Sequence, residues 1–172
     1  MEILIVIFVL LQAIGAIMGA GGAVFGELAY FRAIKDGRID RAERDHLRVI
    51  ANALRFGMML LLLSSIALVL AAFIDSDPIQ PALTASYWIL MTLALVVIWA
   101  SWALSKRSLP FWLGSAIIFT GWWMIALLAF GRFPDIGYGP TILFTIVAGD
   151  IIAAVLAYCR SLYPRALEPR EL

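Results

Sequence analysis

Hydrophobic residues fall in five blocks separated by short polar connections. The blocks run from about Ile3 to Phe31, Phe56 to Ile74, Leu83 to Leu104, Leu109 to Phe130 and Ile136 to Cys159. Blocks of about 20 apolar residues are long enough to cross roughly 30 Å of hydrocarbon as α-helices. A membrane β-barrel would instead need alternating segments of about ten residues, and these are absent from the sequence. The pattern therefore predicts an all-α bundle of about five transmembrane helices.

The second block is preceded by a polar stretch, RAERDHLRVIANALR, whose charges recur at helical spacing. We therefore expect the second helix to begin well before its apolar part. The predicted helices cover about 3–31, 41–74, 83–104, 109–130 and 136–160. Because the connections are too short for a soluble module, residues 1–172 are predicted to form a single transmembrane domain, with 161–172 as a short tail.

Composition agrees with a membrane protein and excludes several kinds of site. The chain has 172 residues, of which 63% are apolar and 15% charged, and its mean hydropathy is +0.97. A soluble domain is closer to half apolar and a quarter charged. With Cys159 and His46 as the single cysteine and histidine, no internal disulfide and no bis-histidine haem can form within one chain. Common catalytic motifs are also absent. We expect no catalytic residues, metal, cofactor or nucleic-acid partner.

Orientation is predicted by the distribution of lysine and arginine. Twelve of the 13 basic residues lie in or beside the first and third connections and the tail, and only Arg132 lies in the fourth connection. Basic connections stay in the cytoplasm. The sequence therefore predicts an N-terminus outside and a C-terminus in the cytoplasm, in a bacterial inner membrane.

The first helix carries four glycines, Gly15, Gly19, Gly22 and Gly26, at spacings of four, three and four residues. At 100° per residue they share an arc of about 60°. Small faces allow the close backbone approach on which helix packing in lipid depends. We predict that this face packs against another helix, within the monomer or between monomers. The alternative is that it forms a wall shaped for a lipid tail, a pigment or a substrate.

Asp150 is the strongest candidate for a functional residue. It lies ten residues before Arg160, hence about 15 Å from the cytoplasmic boundary and near the middle of the bilayer. A carboxylate there is costly unless it is protonated, paired or hydrated. Because small residues share its helix face, we expect it to point into the bundle and to meet Gln12 of the first helix. The alternative is a protonated Asp150 that only bonds a neighbouring helix.

Glu27 and Arg55 form a second candidate pair. Each lies near the cytoplasmic end of its helix, and the two helices are neighbours in the chain. We predict a salt bridge between them. A cytoplasmic gate, or a site for an anionic lipid headgroup, is the alternative.

The stretch GAGGAVFGELAYFRAIKDGRIDRAE, followed by LRVIANALRFGMMLLLLSSIALVL, resembles a group of small bacterial multi-pass membrane proteins. They share a glycine-rich first helix and a D-G-R-I turn, and the resemblance covers about the first 70 residues and implies no activity. More distantly, the opening looks like membrane helix bundles that handle haem or copper, in which a histidine often stands near the position of Gln12. Because Gln12 differs and His46 lies elsewhere, haem is not implied.

Three functions are compatible with these features. The deep carboxyl and nearby polar residues favour a small transport or channel-like protein, oligomeric, with Asp150 as its protonatable centre. The glycine face and the lack of reactive groups favour an accessory or scaffold subunit of a larger membrane complex. The third function is a membrane enzyme or cofactor carrier that shares ligands between chains, such as a haem bridged by two copies.

Overall fold

The structure is a computed structural model that describes residues 2–36, 41–75 and 80–162, without the side chains of 33–36 and 42–44. Within these residues the protein is all-helical. Its five long helices are α1 (Glu2–Asp36), α2 (Arg41–Ile74), α3 (Ala85–Ser105), α4 (Phe111–Ala129) and α5 (Tyr138–Leu162), with a short 3₁₀ turn at Pro81–Leu83. Each is long and apolar enough to cross a membrane. The predicted fold class is confirmed: this is a multi-pass membrane protein.

Local sequence explains several helix ends. The first helix continues to Asp36, past its predicted end near Phe31, because the intervening residues include no glycine or proline that would stop it. The side chain of Thr84 caps the start of α3 by accepting a hydrogen bond from the backbone of Tyr87. Gly131, with a φ of 60°, follows the end of α4 and adopts the left-handed conformation that glycine tolerates best. Of the predicted tail, 163–172 lies outside the described residues.

Successive helices run in opposite directions, as the contacts between them show. Gly15 lies against Leu61 and Gly26 against Ile50, so α1 and α2 are antiparallel. Gly114 lies against Leu104 and Gly121 against Val97, so α3 and α4 are also antiparallel. We call the end where α1, α3 and α5 finish the basic end, because it carries most of the arginines, and the other end the far end.

The fourth helix is the centre of the bundle. It contacts α1, α3 and α5, whereas α2 packs mainly on α1, and α5 packs on α4 and α3. Nine of the 19 residues of α4 are buried, but only three of the 25 residues of α5. The outer surface of α5 is therefore left to lipid or to another protein.

The glycine face of α1 closes on two different helices. A Cβ atom at Gly15 would lie 2.7 Å from the carbonyl oxygen of Gly57 in α2. A Cβ atom at Gly19 would overlap the ring of Trp122 in α4, which is only 1% exposed. Side chains of α2 also contact the last two glycines of the face: Gly22 meets Leu54, and Gly26 more loosely meets Ile50. Because glycine has no side chain, α1 can pack in close contact with α2 and α4 along this face.

Candidate functional site

Three of the polar places in the described part of the bundle bear on the predicted site residues, and the first is an ion pair near the basic end. Nη2 of Arg160, in α5, donates to Oε2 of Glu27, in α1, at 2.8 Å. The same nitrogen donates to Oγ of Ser115, in α4, at 2.6 Å. The two charged side chains are only 12% and 10% exposed. Three helices are thus joined by a buried, charge-assisted hydrogen-bond cluster.

Two aromatic rings complete this cluster. The guanidinium carbon of Arg160 lies 5.1 Å from the ring centre of Tyr30 and 5.2 Å from that of Phe111. The two rings pack on each other, with centres 4.0 Å apart. Cation–π contacts of this kind favour the charged guanidinium when water is kept away. We call Glu27, Tyr30, Phe111, Ser115 and Arg160 the basic-end cluster.

The predicted salt bridge between Glu27 and Arg55 is wrong. Arg55 is exposed on α2 and has no ion pair or hydrogen bond within the described residues. The reason is helix geometry, because Glu27 comes 12 residues after Gly15 and so lies about 120° around α1 from it. Gly15, Gly22 and Gly26 face α2, and Glu27 instead faces α4 and α5. The sequence did not identify Arg160 as the partner of Glu27, because Arg160 was used there only to mark the cytoplasmic boundary of the last helix.

The second place is a cavity of about 160 Å³ near the far end, where α1, α2, α3 and α4 meet. Its walls are half polar and include no Asp, Glu, Lys, Arg or His among the described residues. The lining residues are Gln12, Ser65, Leu68, Pro81, Thr84, Ser86, Tyr87, Leu90, Leu128 and Ala129. We call this the far-end cavity.

At the bottom of the far-end cavity, Nε2 of Gln12 donates to Oγ of Ser65 at 2.9 Å. That hydroxyl donates in turn to the carbonyl oxygen of Leu61 at 2.7 Å. The carbonyl oxygen of Gln12 has no partner within the described residues. The predicted contact between Gln12 and Asp150 is therefore wrong, since Gln12 belongs to the α1–α2 contact and α5 lies on the other side of α4.

The third place is the outer surface of α5. Asp150 is exposed there, 12 residues from either end of Tyr138–Leu162, and makes no hydrogen bond or ion pair within the described residues. Ala153 is buried against α4, whereas Ala154 and Ala157 are exposed beside Asp150. The expectation that Asp150 points into the bundle is thus wrong. It faces outward because Gly149, one residue earlier and about 100° away, faces Thr120 of α4.

Between the basic-end cluster and the far-end cavity the core is mainly apolar, although Oγ1 of Thr120 and Nε1 of Trp122 are buried there without a hydrogen-bond partner within the described residues. It contains, among others, Leu61, Leu93, Val97, Trp122 and Ile125. Hydroxyls in the membrane-spanning helices mostly donate to carbonyl oxygens of their own helix, as Ser64, Ser65, Thr141 and Thr145 do. Within the described ranges, no three His, Cys, Asp or Glu side chains lie close enough together to hold a metal ion.

No protein-family model, curated protein or solved structure matches this chain. The resemblance of the first 70 residues to small bacterial membrane proteins therefore stays a prediction.

Proposed function

We propose that the protein is an assembly subunit of a larger membrane complex and that the outer surface of α5 is its binding surface. The observation that carries this proposal is the position of Asp150, which is exposed at the middle of a membrane-spanning helix. The protein would lie in a bacterial inner membrane with its basic end in the cytoplasm, as the charge asymmetry favours.

Exposure of Asp150 to lipid without a partner is energetically unfavourable. An aspartate at the centre of a spanning helix costs about 2.5–3.5 kcal/mol on insertion. Either helix end is about 18 Å away, too far for this short side chain to reach polar headgroups as lysine and arginine do. A partner that offers a cation or a hydrogen bond removes this cost. The exposed Ala154 and Ala157 allow another helix to approach α5 closely.

Transport through the monomer receives less support from this geometry. A path for ions or protons needs a continuous polar or hydrated lining, and in the described core between the far-end cavity and the basic-end cluster the polar atoms of Thr120 and Trp122 stand isolated among apolar side chains. Asp150, the proposed protonatable centre, lies outside that core.

Photo-crosslinking in native membranes tests the assembly function. The reactive residue is placed at Ala154, beside Asp150, and at Leu95, which is 65% exposed at the middle of α3, as the matched control. We expect protein adducts from Ala154 that disappear when Asp150 is replaced by leucine, and lipid adducts from Leu95. Lipid adducts at both positions, or protein adducts that persist in Asp150→Leu, would contradict the function.

A second candidate function, binding of a small uncharged solute, is favoured by the far-end cavity. The cavity has the liquid volume of about five waters. Gln12 offers a carbonyl oxygen and Ser86 and Tyr87 offer hydroxyls that have no hydrogen-bond partner within the described residues. A solute without charge but with both donors and acceptors would match these groups.

Saturation-transfer NMR with glycerol, on protein in nanodiscs, tests this second candidate. Ser86→Leu would fill the cavity while leaving the bond between Gln12 and Ser65 in place, and Ser101→Ala, near the basic end, is the control. We expect transfer to the wild type and the control but not to Ser86→Leu. Equal transfer to all three proteins would show that glycerol does not use the cavity.

A further inference from the structure

Arg55, on α2, is like Asp150 a charged side chain in a membrane-spanning helix that has no ion pair or hydrogen bond within the described residues. It is exposed on α2, because Glu27, its expected partner, pairs with Arg160 instead. The two helices that carry these charges are separated by α1 and α4. One monomer thus presents a cation on one side and a carboxylate on the other.

The contacts between helices fix the level of Arg55 along the bundle. Leu54 contacts Gly22 of α1, and α1 and α2 are antiparallel. Arg55, the next residue, is therefore level with Gly21.

The contacts between α1 and α4 show which residue of α4 lies at the level of Gly21. Gly19 contacts Trp122, and the packing of Tyr30 on Phe111 shows that α1 and α4 are also antiparallel. Two residues further along α1, Gly21 is therefore level with Thr120, the middle residue of α4.

The contact between α4 and α5 shows which residue of α5 lies at the level of Thr120. A Cβ atom at Gly149 would lie 3.8 Å from Oγ1 of Thr120, so Gly149 and Thr120 are level. Asp150 follows Gly149 directly. Arg55 and Asp150 therefore lie at the same level to within about one helical turn, or ~5 Å.

From this match we infer that the partner at the outer surface of α5 is a second copy of the chain, whose Arg55 pairs with Asp150. The inference rests on the proposed assembly function and names its partner. Copies related by rotation about the membrane normal meet only at equal levels, which Arg55 and Asp150 satisfy. One such contact gives both charged side chains an ion-pair partner and removes them from lipid.

The contact is head-to-tail. Since Arg55 and Asp150 lie on α2 and α5, which α1 and α4 separate, one two-fold contact does not bring both charges to their partners, and it would place like charges together if either helix met its own copy. Each copy instead uses α5 toward one neighbour and α2 toward the next. Contacts of this type generate closed rings, or open chains where the rotation does not close.

Cysteine crosslinking of purified protein in lipid vesicles tests the inference, because no other protein is then present. With Cys159 replaced by serine, one chain carries Met59→Cys, one turn from Arg55, and the other Ile146→Cys, one turn from Asp150. Both positions are exposed, at 59% and 56%, and they are again level with each other. Leu95→Cys, at a similar level on α3, replaces Ile146→Cys as the matched control.

We expect a disulfide between Met59→Cys and Ile146→Cys chains and none between Met59→Cys and Leu95→Cys chains. Adding Arg55→Gln or Asp150→Asn should lower the yield by about tenfold or more, and exchanging the two charges in one chain should restore it. Equal yields for both pairs, or no change on losing either charge, would overturn the inference. The assembly function would survive that result if Ala154 still gave Asp150-dependent protein adducts in native membranes, and would fail separately if it did not.

Discussion

The basic-end cluster and the outer surface of α5 each contain a carboxyl group at membrane depth, and the bundle treats the two differently. Glu27 is buried, and Nη2 of Arg160 donates a hydrogen bond both to it and to Oγ of Ser115. Asp150 is exposed, and the structure gives it no partner within the described residues. The first carboxylate is satisfied inside the monomer, and the second is left for a contact with another chain. An acidic residue in a membrane helix is therefore informative only when its direction is known.

The largest effect is expected from Glu27→Ala. Removing one member of a buried ion pair leaves the other charge uncompensated, which typically costs about 3–5 kcal/mol. The measurement is the free energy of unfolding by SDS in mixed micelles. Asp45→Ala is the control, because Asp45 pairs with Arg48 at 3.9 Å while both side chains are more than 70% exposed. If the free energy of unfolding fell equally in the two variants, the basic-end cluster would stabilise the fold no more than a surface ion pair does.

Asp150→Leu, in contrast to Glu27→Ala, is expected to have a favourable effect. Since the carboxylate lies at the middle of α5, its removal should make insertion of α5 into the membrane more favourable by roughly 3 kcal/mol. Insertion of α5 as a test segment by the translocon measures this directly. The purified monomer in detergent should unfold no more easily than the wild type. A monomer that loses stability would show that Asp150 has a partner inside its own chain.

Gly19→Leu tests the packing that brings Glu27 toward α5. The new side chain would overlap Trp122 and force α1 away from α4, at a cost of about 2–3 kcal/mol. Gly21→Leu is the matched control, since a Cβ atom at Gly21 would meet nothing within 4 Å. Thermal unfolding of both variants provides the comparison. If Gly19→Leu were as stable as Gly21→Leu, α1 and α4 would not be in close contact.

The smallest effect is expected when both charges of the buried pair are removed together. Replacing a buried ion pair by apolar residues of similar size is often nearly neutral. Glu27→Leu combined with Arg160→Met should therefore be clearly more stable than Glu27→Ala alone in the same SDS assay. A double variant as unstable as the single one would show that the ion pair itself, and not the uncompensated charge, governs stability.

Much of the fold could be predicted from the sequence. Five apolar blocks of spanning length define five helices because a backbone in lipid must form its hydrogen bonds within the segment. The glycines of α1 indicated close packing, and Gly15, Gly19 and Gly22 do lie against neighbouring helices. These properties depend on residues close together in one helix, so the sequence alone contains them.

Only the tertiary structure decided which side chains interact with each other. Whether Glu27 meets Arg55 or Arg160 depends on which helices are neighbours and how each is rotated about its axis. A residue's depth in the membrane can be counted along the chain, and Asp150 does lie at the middle of its helix. Its direction cannot be counted, because one residue along a helix changes it by about 100° and many packings of five helices bury similar apolar area. The sequence determined that Asp150 lies at the middle of its helix, whereas the packing of the helices decided the level of Arg55 and the partner that each charge meets.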